Sequence, residues 1–269
     1  MPSATVNGLP YDYEEKGSGL PIVFAHGLTF DRHMWDHQVE ALSPRYRCIA
    51  YDFLGHGGSP VGPEGYSLED EAENLHALMA QWGASPAHVV GLSMGGMVAL
   101  RLALAHPQDV RSLTILDASA EEELPERRPL YEQLAATAKA QGPQTVADPV
   151  VGFMFSRGFV QSQPEKVEAY KRSFEALDMD GLEAATKAVT RRTRVLEQIP
   201  QIAVPTLVIV GGEDIARTPD EAQRMAEGIP GARLETVAGS GHMTPVEQPE
   251  RISELLSAFL ARVDGGGPK

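Results

Sequence analysis

The sequence predicts an α/β protein: a mostly parallel central sheet flanked by helices, with a helical block inserted after the sixth strand. Three observations predict it. Short apolar runs alternate with stretches of helical periodicity, the order that a parallel sheet and its crossover helices produce. Several runs, such as Pro-Ile-Val-Phe-Ala at 21–25 and Thr-Leu-Val-Ile-Val at 206–210, are apolar on both faces, as strands covered from both sides are. Between Asp117 and Pro205 the strand pattern stops and helical spacing replaces it.

Taken in order, the chain opens with an antiparallel lead-in around Thr5-Val6 and Tyr11–Glu15, turned through Asn7-Gly8, a pair that accepts left-handed backbone. Strands are expected at 21–25, 47–51, 87–91 and 113–117, and again at 206–210 and 233–237. Leu68, Ala72, Leu75, Met79 and Trp82 recur at helical spacing behind Ser67, an N-cap with Asp70 three residues on. Met94–Ala105 is apolar nearly all round except at Arg101, which makes it a helix packed on the sheet. Thr218-Pro-Asp-Glu221 caps a later helix, and Ile252, Leu255, Leu256, Phe259 and Leu260 mark the last one. Within the insertion, Val167, Tyr170, Phe174 and Leu177 keep helical spacing. The expected division is a core of residues 1–118 and 205–264, a helical lid at 119–204 and a flexible tail at 265–269. Six lid aromatics, Tyr131, Phe153, Phe155, Phe159, Tyr170 and Phe174, are of the kind that roofs an apolar pocket. Among them Phe153, Phe155 and Phe159 are the expected substrate-binding residues.

The balance of 23 Lys and Arg against 37 Asp and Glu gives a net charge of −14, so there is no basic field for nucleic acid or an anionic membrane surface. The single cysteine, Cys48, lies in the strand-like run Arg47–Tyr51 and reads as a small buried side chain. No run approaches the ~20 apolar residues of a membrane span, and the start of the chain lacks a basic and apolar leader. A cytoplasmic protein is the expectation, with homo-oligomerisation left open.

The chemistry concentrates in a few turns. Val89-Val-Gly-Leu-Ser93-Met-Gly-Gly96 is a strand, a Gly-X-Ser-X-Gly turn and a helix, which forces a serine out at the carboxyl edge of the sheet. Gly91 and Gly95 leave room for that turn, and the following helix aims its N-terminal dipole and the Met94 N–H at charge developing beside Ser93. A serine hydroxyl needs a base. Of eight histidines, His26 and His56 lie in early loops, while His33, His37, His76, His88 and His106 occupy helical or strand-entry positions. His242, in Gly239-Ser-Gly-His-Met243 after the last strand, is where a base would have to be. The base in turn needs an orienting carboxylate. Asp214 ends the strand at Val210-Gly-Gly-Glu-Asp214 and gives the chain order Ser93, Asp214, His242; its neighbour Glu213 reads as an ordinary solvated acid. Asp117, at the end of the preceding strand, is the competing acid.

These motifs, together with His26-Gly27, Asp52-Phe-Leu-Gly-His-Gly-Gly-Ser59 and Pro205-Thr-Leu-Val-Ile-Val-Gly-Gly-Glu-Asp214, resemble the α/β-hydrolase superfamily across essentially the whole chain. Within it the chain is most similar to small esterases, 3-oxoadipate enol-lactonases and cofactor-free haloperoxidases. The resemblance implies a second oxyanion donor, the backbone N–H of Leu28, and scaffolding roles for His26 and His56. Serine at the elbow separates the chain from haloalkane dehalogenases and related epoxide hydrolases, which carry aspartate there. Thr29 stands where haloperoxidase-like relatives often have proline, which makes peroxyacid formation a side activity at most.

The expected activity is hydrolysis of a small to medium carboxylic ester or lactone through an acyl-enzyme, with no metal or organic cofactor. Two other uses of the same triad remain open at this level: carbon–carbon bond hydrolysis or lysis, and slow-turnover sensing of a small ligand.

Overall fold

The computed structural model describes residues 2–265. Eight strands form one sheet: β1 (Ser3–Val6), β2 (Leu9–Gly17), β3 (Pro21–Ala25), β4 (Arg47–Tyr51), β5 (Ala87–Leu92), β6 (Val110–Leu116), β7 (Thr206–Gly211) and β8 (Arg233–Val237). Their spatial order is β1-β2-β4-β3-β5-β6-β7-β8. From β4 to β8 every neighbouring pair is parallel, and the β1–β2 hairpin adds to β4 antiparallel. The hairpin turns at Asn7 and Gly8, with φ of 53° and 79°, the pair of left-handed residues that matches strand twist in a two-residue turn.

Period-two alternation sorts the sheet's side chains into two core layers. Val23, Ala25, Ile49, Val89, Ile115 and Val208 pack with α2 (Leu68–Gln81), α3 (Met94–Ala105) and α9 (Pro219–Gly228). Ile22, Phe24, Cys48, Val90, Leu116 and Ile209 pack on the other side with α1 (Asp36–Leu42) and α11 (Pro249–Gly265). Cys48 is fully buried there, and burial pushes its thiol up to about 12. Ser67 and Thr218 close reciprocal capping boxes with Asp70 and Glu221. The insertion between β6 and β7 consists of α4 (Arg128–Gln141), α5 (Ala147–Met154), α6 (Arg157–Ser162), α7 (Pro164–Glu175) and α8 (Met179–Thr190).

One strand starts earlier than the sequence predicts. Strand β6 starts at Val110 rather than Leu113, because Ser112 finds a buried partner in His88 at 2.7 Å and the strand continues through it. Arg101, the polar exception on α3, is buried: it donates to Glu69 Oε1 at 2.8 Å and to the Thr193 carbonyl at 2.7 Å, tying α3 to α2 and to the chain leaving α8. Of the tail expected at 265–269, Gly265 ends α11 and 266–269 lie outside the described residues. Among the described residues no helix is long and apolar enough to cross a membrane.

Candidate active site

Ser93 sits between β5 and α3 with φ 50° and ψ −111°, a left-handed backbone that a serine adopts only when its surroundings force it. The force is close packing. A Cβ at Gly95 would overlap the Ala25 carbonyl of β3, and one at Gly91 would overlap the backbone of Gly95 and Gly96. Two backbone bonds fix the turn, Ser93 N–H to the Leu116 carbonyl at 2.9 Å and Gly95 N–H to the His26 carbonyl at 3.0 Å.

The serine's partners arrive from the far end of the chain. Ser93 Oγ lies 3.0 Å from His242 Nε2, and His242 Nδ1 lies 2.8 Å from Asp214 Oδ2. If Nδ1–H donates to the carboxylate, Nε2 is left to accept the serine proton, which is the tautomer a general base requires. Asp214 is held by its second oxygen, which accepts from the backbone N–H groups of Ala216 at 2.8 Å and Arg217 at 2.9 Å. All three residues are buried, with Ser93 retaining 8 % exposure. The structure thus brings together the serine, acid and histidine expected from the motifs. Glu213, beside Asp214, is exposed.

Asp117, the competing acid, is placed differently. It accepts from Gly211 N–H at 2.8 Å and from the Thr244 hydroxyl at 2.5 Å, with a left-handed φ of 47°. Burial first, and the neighbouring Asp214 second, push its carboxyl well above the ordinary range.

The Leu28 and Met94 amides, the expected oxyanion donors, have no hydrogen-bond partner among the described residues. Met94 is the first residue of α3, where the helix leaves its N–H groups free and its dipole positive. His26 shapes the Leu28 loop. Its Nε2 accepts from Phe53 N–H at 3.0 Å, so Nδ1 carries the proton and donates to the Gly27 carbonyl at 2.8 Å. Burial lowers its pKa to about 4, and that of His56 to about 3. Both are therefore neutral loop supports.

Beneath the insertion lies a cavity of about 60 Å³ that begins at Leu28 and Thr29 and is walled by residues including Tyr131, Leu134, Val150, Phe153 and Phe174. Of the three expected substrate-binding residues, Phe153 lines this cavity, and Phe155 and Phe159 do not. They stack on each other with centroids 5.1 Å apart, and Phe155 packs edge-on against Tyr170. Phe155, on extended backbone just after α5, and Phe159, on α6, are drawn into the buried apolar layer, while Phe153 on α5 stays half-buried at the cavity. Tyr170 also bonds the Thr29 hydroxyl at 2.9 Å, which ties α7 to the Leu28 loop.

One supporting residue carries no motif. Glu247, on α10 (Thr244–Glu247), accepts from Gly241 N–H at 2.9 Å and from Ser156 Oγ at 2.6 Å. It thereby locks the turn before His242 to the start of α6. Only the fold brings Ser156 and Glu247 together, so no spacing in the sequence could have revealed the pair.

Comparison with known proteins agrees with this fold. The family model described as the alpha/beta hydrolase fold matches residues 21–249. The chain is 28% identical to 3-oxoadipate enol-lactonase 2 of Acinetobacter baylyi, over 90% of this chain and 88% of that one. Among solved structures it is similar to the enol-lactonase from Burkholderia xenovorans LB400, with a TM-score of 0.91, 28% identity and coverage of 97% and 100%. A thermophilic esterase from Thermogutta terrifontis matches with a TM-score of 0.90, 29% identity and coverage of 97% of each chain.

Proposed function

The chain belongs to the alpha/beta hydrolase family, and from that premise we propose that it is a serine hydrolase cleaving a small carboxylic ester or lactone through an acyl-enzyme. The observation that carries the proposal is the unbroken hydrogen-bonded chain from Ser93 Oγ through His242 to Asp214, at 3.0 and 2.8 Å. Relatives named as enol-lactonases and an esterase support the ester or lactone class.

In the reaction Ser93 Oγ attacks the substrate carbonyl carbon while His242 Nε2 takes its proton. Asp214 keeps the imidazole in the productive tautomer and stabilises the imidazolium. The carbonyl oxygen, now an oxyanion, receives the Leu28 and Met94 N–H groups, aided by the N-terminal dipole of α3. As the tetrahedral intermediate collapses, His242 gives its proton to the leaving alcohol. Water activated by the same histidine then cleaves the acyl-enzyme and regenerates Ser93.

Residues 119–204 act as a lid whose underside forms the acyl pocket. At about 60 Å³ the cavity is far below the ~300–1,000 Å³ of pockets that enclose drug-sized ligands, so short acyl groups are favoured. Steady-state turnover of p-nitrophenyl acetate and butyrate tests the proposal. Both should be hydrolysed, and Ser93→Ala should lower kcat by more than about 10³-fold. Folded protein without turnover of either ester would point to a binding role instead.

A further inference from the structure

We propose that the acyl side of the substrate is uncharged, and that the site discriminates against carboxylate-bearing esters. The inference rests on the serine-hydrolase reading and deepens it. Among the described residues no Lys, Arg, His, Asp or Glu lines the cavity that opens from Leu28. Its wall is made of aliphatic and aromatic side chains, joined by the hydroxyls of Thr29, Tyr131 and Thr186. The Thr29 hydroxyl is committed to Tyr170. Those of Tyr131 and Thr186 can share a hydrogen bond with a neutral group, but neither can balance a charge.

Two guanidinium groups lie near Tyr131, those of Arg127 and Arg217. Neither lines the cavity. Arg217 pairs with buried Glu123 at 2.5 Å, and Arg127 donates to the Ala216 carbonyl at 3.1 Å. Glu123 also pairs with Arg192 at 3.0 Å. A substrate carboxylate entering the cavity would therefore lose its water and meet no cation in the wall, the situation in which burying a charge is most unfavourable. The net charge of −14 opposes its approach as well.

The test compares ethyl esters by ethanol release at neutral pH: ethyl butyrate, ethyl succinamate and monoethyl succinate. The last two have nearly the same shape and differ in an amide against a carboxylate. The expected result is a kcat/KM for monoethyl succinate more than about tenfold below that for ethyl succinamate. A ratio below tenfold, or a preference for the anion, overturns the inference while leaving the hydrolase reading intact. Absence of turnover on all three esters and on p-nitrophenyl acetate would overturn both.

Discussion

Asp117 and Asp214 end adjacent strands of the sheet, yet only Asp214 reaches His242: Asp117 turns to Gly211 N–H and the Thr244 hydroxyl, joining the end of β7 to the start of α10. The two acids therefore have separable tasks. Asp214→Asn should reverse the hydrogen bond that sets the His242 tautomer and lower kcat by about 10⁴-fold with the fold retained. Asp117→Asn keeps a carbonyl acceptor for Gly211 and removes a carboxyl that burial already disfavours as an anion, so its kcat should stay within about tenfold. Kinetics of both variants, with circular dichroism as the folding control, distinguish the tasks; the opposite ranking would move the orienting role to Asp117.

The elbow makes a steric prediction. A methyl group at Gly95 would meet the Ala25 and His26 carbonyls, which are backbone atoms at the end of β3 and just after it and cannot rotate away. Gly95→Ala should cost about 1–3 kcal/mol or more and displace Ser93 from His242. Chemical unfolding together with esterase kinetics reads both effects; a variant with wild-type stability and rate would mean that the turn has slack.

The sequence carried much of this arrangement in local patterns. Strands β3, β4 and β8, helix α3 and both capping boxes follow from apolar periodicity and turn residues a few positions apart. Ser93, Asp214 and His242 were readable because each stands in a turn at the carboxyl edge of the sheet, and the sheet itself brings such turns together. What stayed hidden depends on contacts between distant segments. Phe153 and Phe155 are two residues apart, and only the end of α5 between them and the packing around it decide that one lines the cavity and the other joins the core. Glu123 reads as one acid in a run of three, yet it is 1 % exposed because Arg192 and Arg217 converge on it.

That convergence leads to a third prediction. Glu123→Gln leaves two buried guanidinium groups without their carboxylate and should destabilise the protein by about 3–5 kcal/mol. Because the Arg217 N–H also holds Asp214, kcat should fall with stability. Denaturant unfolding of the variant measures the first effect; a loss under about 1 kcal/mol would show that the cluster is solvated.

Stability should also depend on pH in a defined direction. Burial raises Glu71 from 4.5 to about 7, so between those values the folded state holds a proton that the unfolded chain has lost. Its contribution is complete below about pH 4.5 and is lost as pH rises through about 7. His26 and His56, depressed by burial to about 4 and 3, act in the opposite sense: their contribution is complete above about pH 6.5 and is lost as pH falls through those values. Glu71→Gln removes the first slope alone. Relative to wild type, the variant should gain up to about 3 kcal/mol between pH 5 and 8, read from denaturant melts across that range; a constant difference would mean that Glu71 ionises normally.

The nucleophile is the centre of the proposed chemistry, and covalent labelling addresses it directly. The folded protein is treated with a fluorophosphonate, digested, and mapped by tandem mass spectrometry while residual esterase activity is followed. One adduct per chain on Ser93, formed in step with the loss of activity and abolished by His242→Ala, is the expected result. Activity lost with Ser93 unmodified, or with the label on another residue, would contradict it.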